Sequence, residues 1–398
     1  MPARQIPELR SDNERRVIAA IRARGALSRA EIARLLGLSA PGASTIVGGL
    51  ADRGLLRAQA KQRGHIGQPI TPFTLDPEGA CAIGVKIWRR SVEAALVDLL
   101  GEVVAAREVP HDGPDPRPDP AASFVLAREM VAELMAEAPQ GAARFVGVGV
   151  AIPGDISGLS AAAGEPAPGD LWRDVDVAAA LRLAPGLRVE TIPDSAAALV
   201  AQLARGPSIG HGAALCLYLG TFVGGGLAIA GRLHAGDHGA AGALAAAPVP
   251  GPALSGGARQ LLHDASLRAL EEALAARGHP AMAVIRGQTE APEAEALFAE
   301  WLGTAAPALA HAAAAAHAVV DLSHVFIDGV FRPEWRARTV EATREALARM
   351  RLAGLAPPLI EAGCVGWPAR VLGAALTPLE RVFGPMARGH GAGTPGAA

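Results

Sequence analysis

Three short runs of apolar residues at helical spacing, each opened by a serine, lead the chain. Ser11-Asp-Asn-Glu14 has the form of a capping box, in which Ser and Glu each satisfy an otherwise unpaired backbone donor at a helix start. Val17, Ile18 and Ile21 follow on one face, and Gly25 supplies a stop. Ser28-Arg-Ala-Glu31 repeats the box ahead of Ile32, Leu35 and Leu36. Gly37-Leu38-Ser39 then reads as a tight turn, with glycine in the left-handed region and Leu38 as a buried plug. Ser39 caps a third helix that tolerates Pro41 in its first turn and turns Ile46, Val47 and Leu50 inward. Gly54-Leu55-Leu56 leads into a basic hairpin running from Arg57 to Leu75. Helix, helix, turn, helix, wing is the order of a winged helix-turn-helix, a reader of the DNA major groove.

Beyond residue 76 the pattern changes to β-type runs: Ala82–Ile87, Ala94–Asp98, Glu102–Ala106, Phe145–Ala151, Arg188–Ile192, Ala213–Leu219 and Gly225–Ala230. Helical runs intervene at Ala121–Ala136, Val175–Leu183 and Ser195–Arg205. The first three strands predict an antiparallel meander turned at Trp88-Arg89-Arg90 and near Leu100-Gly101. The later ones alternate with helices, as parallel sheets require. The second half repeats this plan and adds long Ala-rich helices, so the expected class is α/β with two related lobes and a cleft between them. Pro-rich stretches at 111–120 and 161–170 predict surface loops, and the Gly-rich residues 389–398 predict a disordered tail. The expected domains are 1–78, a first lobe at 79–193 completed by a helix at 370–388, and a second lobe at 194–369.

Charge sharpens the division. Residues 1–75 hold twelve Arg and Lys against five Asp and Glu, a net +7, and the remainder carries −9, so the overall −2 hides a basic head on an acidic body. Arg15, Arg16, Arg29, Arg34, Arg57, Lys61 and Arg63 suit phosphate contacts, joined by His65 in the wing. Ser44 and Thr45 are the polar residues of the third helix's outer face, beside the capping Ser39, which leaves direct base reading modest and gives more to the wing and to DNA shape. The expected DNA contacts are therefore Arg29, Ser39, Ser44, Thr45, Arg57, Lys61, Arg63 and His65. Cys81, Cys216 and Cys364 lack metal-ligand spacing and predict buried thiols in a reducing cytoplasm. The opening residues lack a signal-peptide pattern, and the Ala-rich run Ala305–Val320, broken by Pro307, His311 and His317, predicts a core helix rather than a membrane span.

Several glycine-rich stretches carry a resemblance. Gly147-Val-Gly-Val-Ala-Ile-Pro-Gly154, Gly169-Asp-Leu-Trp172, Asp194-Ser-Ala-Ala-Ala198 and Gly220-Thr-Phe-Val-Gly-Gly-Gly226 come in order, followed by Gly231-Arg-Leu-His-Ala-Gly236, His238-Gly-Ala-Ala-Gly242 and Gly373-Ala-Ala375. In these the chain resembles the ROK family of repressors, open reading frames and sugar kinases. The resemblance covers nearly everything from Ser11 to Pro385 and implies the two-lobed actin and hexokinase type of fold. A head of this type before such a body looks like the repressor branch.

The departures from the family pattern matter as much. Kinases of the family carry Asp-x-Gly-Gly-Thr after the first strand, where this chain has Lys86-Ile-Trp-Arg-Arg90. Their Gly-Thr-Gly-x-Gly-Gly-Gly loop has Phe222 here at its third position. The Asn-Asp-Ala-Asn stretch reads Pro193-Asp194-Ser195-Ala196, and Glu-x-Gly-His reads Ala243-Leu244-Ala245-Ala246. The zinc loop that follows in the family, here Pro248–Gly257, has no Cys. The resemblance thus implies a body without catalysis, ATP or metal. Asp194, the family's general base, is left as a ligand contact or a helix cap. Lys86 is left to bind an anion, reach solvent or pair with Asp194, the last being favoured. Gly224–Gly226 is read as easing a hairpin turn, and His234 and His238 as turn residues rather than metal ligands. Lys86, Gly154, Trp172, Asp194 and His238 are the candidate ligand contacts, with Arg173 beside them.

The expectation is a DNA-binding repressor acting as a homodimer or homotetramer on a palindromic operator. No cofactor and no membrane is expected, and the partners are duplex DNA and a small-molecule effector such as a sugar or derivative. A sugar kinase carrying a DNA-binding head and a ligand-independent scaffold are the rival readings.

Overall fold

The computed structural model describes residues 9, 11–61, 70–88, 91–111, 119–138, 144–152, 175–183, 187–207, 209–210, 212–251 and 258–384. The Gly-rich tail and the 161–170 loop lie outside these residues. The chain divides into two compact units. Unit 1 comprises Met1–Ile152, Asp176–Ile192 and Val371–Ala398; unit 2 comprises Pro153–Val175 and Pro193–Arg370.

Unit 1 begins with the head. Helix α1 (Asp12–Arg24) is capped by Ser11, whose Oγ accepts from the Glu14 amide at 3.2 Å, and ends at Gly25 with φ 78°. The Glu14 carboxylate is buried and pairs with Arg53 at 2.6 Å, where the sequence predicts a reciprocal cap. In α2 (Arg29–Leu36) the capping box is complete, and hydrogen bonds from the Ser28 backbone amide and hydroxyl hold the Glu31 carboxyl below its usual range. Gly37 takes the left-handed conformation, φ 66° and ψ 32°. Leu38 is only half-buried and Leu35 is exposed, so the plug of this turn is shallower than its hydrophobicity predicts. Helix α3 (Ala40–Asp52) buries Ala43, Val47 and Leu50. Strands β1 (Leu27–Ser28), β2 (Leu56–Ala58) and β3 (Pro72–Leu75) form the sheet of the wing, in the order β1-β3-β2.

The rest of unit 1 is a five-stranded sheet ordered β6-β5-β4-β7-β8. Strands β4 (Cys81–Ile87), β5 (Ser91–Asp98) and β6 (Val103–Pro110) make the antiparallel meander. Strand β7 (Phe145–Ile152) runs parallel to β4, with β8 (Val189–Pro193) beside it. Helices α4 (Pro120–Glu137) and α5 (Val177–Leu181) belong to the same unit.

Unit 2 repeats the plan. Helix α6 (Asp194–Arg205) precedes β9 (Ala214–Leu219), β10 (Val223–Ile229) and β11 (Arg232–His234). Helices α7 (Leu261–Ala265), α8 (Arg268–Ala275), α9 (Ala281–Ile285) and α10 (Ala294–Val320) follow. Then come β12 (His324–Gly329), α11 (Pro333–Ala348) and β13 (Leu359–Ala362). The sheet order β11-β10-β9-β12-β13, three antiparallel strands continued by two parallel ones, mirrors that of unit 1. In its helical layer Phe298 stacks on Trp335 at 4.4 Å and meets Trp301 at 5.6 Å. Among the described residues no helix is long and apolar enough to cross a membrane.

The last helix, α12 (Ala369–Phe383), returns the chain to the sheet of unit 1. Glycines admit it: an ideal Cβ on Gly84 would lie 2.2 Å from the Val371 carbonyl oxygen, and one on Gly149 would lie 1.8 Å from that of Ala374. Any side chain at either position would drive the helix off the sheet. Of the cysteines, Cys81 and Cys216 are buried, and desolvation raises the Cys81 thiol to about 11. Cys364 is exposed, against expectation, because it lies past the end of edge strand β13.

Candidate functional site

The head presents its polar groups outward. Ser44 and Thr45 are exposed on α3, and Arg29, Arg57 and Lys61 are exposed around it. Two of the expected DNA contacts already have work within the fold. The Ser39 hydroxyl accepts from the Gly42 amide at 3.2 Å as the cap of α3, and the Thr45 hydroxyl donates to the Pro41 carbonyl at 3.0 Å. The Arg29 guanidinium lies 4.7 Å over the Phe73 ring of β3, which fixes a cation between α2 and the wing. Arg16 is braced on the Asn13 side chain and the Leu36 carbonyl. Arg63 and His65 lie outside the described residues. Gly48 and Gly49, one turn beyond Ser44 and Thr45, have open space where a Cβ would stand. With them the exposed surface of α3 stays low, a feature the sequence reading passed over.

In the body, polar groups at the family's site positions each meet a partner within their own unit. Lys86 on β4 stands opposite Glu93 on β5 in the antiparallel register. Both are 2 % exposed, and the ammonium donates to the Glu93 carboxylate and to the Ser91 hydroxyl at 3.4 Å. Ser91 donates to the same carboxylate at 2.8 Å. Sequence favours a pairing of Lys86 with Asp194; the partner that the structure shows for Lys86 is Glu93, its direct neighbour in the ladder.

Asp194 opens α6 but caps nothing; the residue before the helix is Pro193, and no side chain bonds the first turn. Its carboxylate accepts from Arg370 at 2.8 Å. The same guanidinium lies 5.0 Å over the Tyr218 ring, and its Nη1 stands 4.0 Å from where a Cβ of Gly220 would be. Arg370 therefore puts a cation between the family's general-base position and its second phosphate loop.

That loop is occupied from within. The Thr221 hydroxyl donates to buried Glu271 at 2.7 Å, and the Val223 amide donates to the Ser266 hydroxyl at 3.1 Å. A carboxylate at this place repels phosphate, and each engaged donor is one fewer for a nucleotide. Phe222 is half-buried between them. Gly224–Gly226 serves close packing in β10 and not a turn: Cβ atoms on Gly224 and Gly226 would come within 2.7 Å of Ser195 and 3.0 Å of Leu199 on α6. His234 and His238 are exposed, and no group of His, Cys, Asp or Glu among the described residues could hold a metal ion. Gly154, Trp172 and Arg173 lie outside the described residues. Arg370, Glu271 and Ser266 were missed from sequence. Arg370 stands three residues before Gly373-Ala-Ala375 and could have been suspected, but nothing in sequence marks Glu271 or Ser266.

Comparison with known proteins places both parts. Residues 82–330 match the ROK family, and residues 11–65 match the MarR family. The uncharacterized protein y4fQ of Sinorhizobium fredii is 28 % identical over 396 residues, 97 % of this chain and 96 % of that protein. A ROK family transcriptional regulator described as a homolog of the E. coli MLC protein shares the fold over 94 % of this chain and 96 % of its own, with TM-score 0.66 and 18 % identity. A ROK hexokinase from Thermus thermophilus covers 75 % of this chain with 97 % of its own, at TM-score 0.54 and 25 % identity. The regulator spans head and body alike, and the chain, with a MarR-type winged helix before its sugar-kinase-like domain, belongs to the ROK family and has the architecture of its DNA-binding transcriptional regulators.

Proposed function

We propose that this protein is a transcriptional repressor of the ROK type whose body has given up phosphoryl transfer. It binds a palindromic operator as a homodimer or homotetramer in the cytoplasm. Its body biases the geometry of the paired heads in response to a small molecule, a sugar or a derivative. The observation that carries the loss of catalysis is the Asp194–Arg370 ion pair. A general base must accept a proton from a substrate hydroxyl, and this carboxylate is already engaged by a guanidinium that lies over Tyr218.

Two measurements test this. The full chain incubated with ATP, magnesium and a panel of hexoses should form no sugar-dependent ADP; turnover abolished by Asp194→Asn would overturn the reading. Thermal-shift screening against sugars, amino sugars and sugar phosphates should raise the melting point for an effector that binds only the folded state. Silence across that panel would favour the ligand-independent scaffold.

A further inference from the structure

The head meets the first lobe through an arginine that neither the DNA surface nor the degenerate site uses. Arg144 stands immediately before β7, and its Nη1 donates to the carbonyl of Arg53 at 2.6 Å and to that of Gly79 at 3.2 Å. Arg53 is the C-cap of recognition helix α3, and Gly79 ends the turn that joins head to body. Between them Gly54, at φ 68°, lies under the guanidinium so closely that a Cβ there would stand 2.6 Å from Arg144 Nη2. The link itself is tight, since a Cβ on Gly79 would meet the Gly54 carbonyl at 2.7 Å and the Leu99 side chain at 3.1 Å.

Arg53 extends the connection into the head. Its carbonyl is held by Arg144 while its own guanidinium holds Glu14 of α1 at 2.6 Å. A second arginine lies on the same side of the problem. Arg22, near the end of α1, is half-buried and feels the charge of Glu380 on α12, and desolvation lowers its guanidinium to about 10. Two helices of the head are thus referred to the body through buried or half-buried cations, which is unlike a module on a flexible tether.

We propose that Arg144 is a positioning residue for operator recognition: it latches the C-terminal end of α3 and the connecting turn onto β7, so that the head moves with the first lobe. Strand β7 leads from this latch at Phe145 to Ile152, two positions before Gly154 in sequence. A shift of the strand would therefore be felt at α3 directly. The consequence for DNA rests on the paired-head reading above, because only a head of fixed orientation makes two copies sensitive to half-site spacing.

The test uses the full chain, with Arg144→Ala and, as a variant that keeps the charge but loses the fork, Arg144→Lys. Hydrogen exchange is read at the amides of Gly54 and Leu55, bonded to the last turn of α3, and of Asp76 and Gly79, bonded within the link. Both variants should exchange there about tenfold faster, while the amides of α1 and α3 keep their protection. Unchanged exchange in the link overturns the latch, and so does an equal rise throughout the head, which would mean a general loss of folding. The same proteins are titrated with a duplex selected from a random pool and with derivatives carrying about five extra base pairs at its centre, half a helical turn. The native protein should lose about tenfold in affinity on insertion and the variants less than about threefold, with similar binding to a single half-site. A native protein indifferent to spacing refutes the paired-head reading while the exchange result still decides the latch. A spacing-sensitive native protein with equally sensitive variants refutes the latch alone.

Discussion

Head and body treat their polar side chains in opposite ways. In the head, the groups that shape the fold are short and local: Ser11, Ser28 and Ser39 cap helices, and Glu31 closes its box with Ser28. The long cations Arg15, Arg34, Arg57 and Lys61 are left exposed. In the body, the positions that in a kinase of this family would meet phosphate or sugar have turned to partners inside the chain. Lys86 is satisfied by Glu93, Asp194 by Arg370, Thr221 by Glu271 and the Val223 amide by Ser266. On the proposed loss of catalysis, the fold persists because each of these polar groups has a neighbour within the chain. In the head, by contrast, cations such as Arg57 and Lys61 stay exposed at the surface, where phosphate can reach them.

The contrast is easiest to break at Lys86. With both partners 2 % exposed, removing either one leaves a charge buried and uncompensated. Lys86→Met or Glu93→Leu alone should cost about 3–5 kcal/mol in chemical denaturation of the full chain. The double replacement should return most of that, and the coupling energy of the cycle should be clearly non-zero. Additive effects would mean that the pair is incidental, and the site would have lost its phosphate chemistry without gaining internal closure.

Legibility from sequence follows the same division. The helices of the head could be read well, because their determinants lie three or four residues apart: Ser28 with Glu31, Ser39 with Gly42, Gly37 at the turn. The sheet plan was legible too, since strand periodicity is local. The state of the degenerate site was only half legible. Sequence shows what is missing, but the replacements come from far along the chain, and Arg370 meets Asp194 across 176 positions. Charge complementarity alone likewise could not choose, for Lys86, between Asp194 and a glutamate directly across the ladder.

A smaller effect is expected at Asp194, which is 16 % exposed beside an Arg370 that is 8 % exposed. Asp194→Asn should cost about 1–3 kcal/mol, less than the Lys86 variants, because water and Tyr218 still stabilise the guanidinium. Arg370→Gln should cost a similar amount, and neither change should confer ADP formation. An Asp194→Asn protein as stable as the native one would show that the carboxylate is held ready for something outside the chain.

On the head, single cations should matter through salt rather than stability. Arg57→Ala and Lys61→Ala should leave the melting point unchanged, since both side chains are exposed. Each should weaken duplex binding about equally on all sequences and reduce the slope of log affinity against log salt by about 1. Replacing Arg29 should do more than either, because its stacking on Phe73 also orients the wing. Equal salt slopes for native and variant chains would remove these residues from the interface.

The finest test concerns Gly48. A glycine inside a helix costs about 1 kcal/mol relative to alanine, and its retention usually has a packing reason. Here the chain offers none: Gly48 is helical, its φ is not among the positive ones, and a Cβ would enter open space. It lies one turn beyond the exposed Ser44 of α3 and is itself half-buried. Gly48→Ala should therefore stabilise the head by about 1 kcal/mol. If α3 lies against DNA along this face, the added methyl should at the same time weaken duplex binding by about threefold or more, because a backbone that could approach closely is held off. Stability and affinity moving in opposite directions is a result that packing within the chain cannot produce. A more stable head with unchanged affinity would place the DNA on the Ser44 and Thr45 end of the helix and the wing, and would leave Gly48 outside the contact.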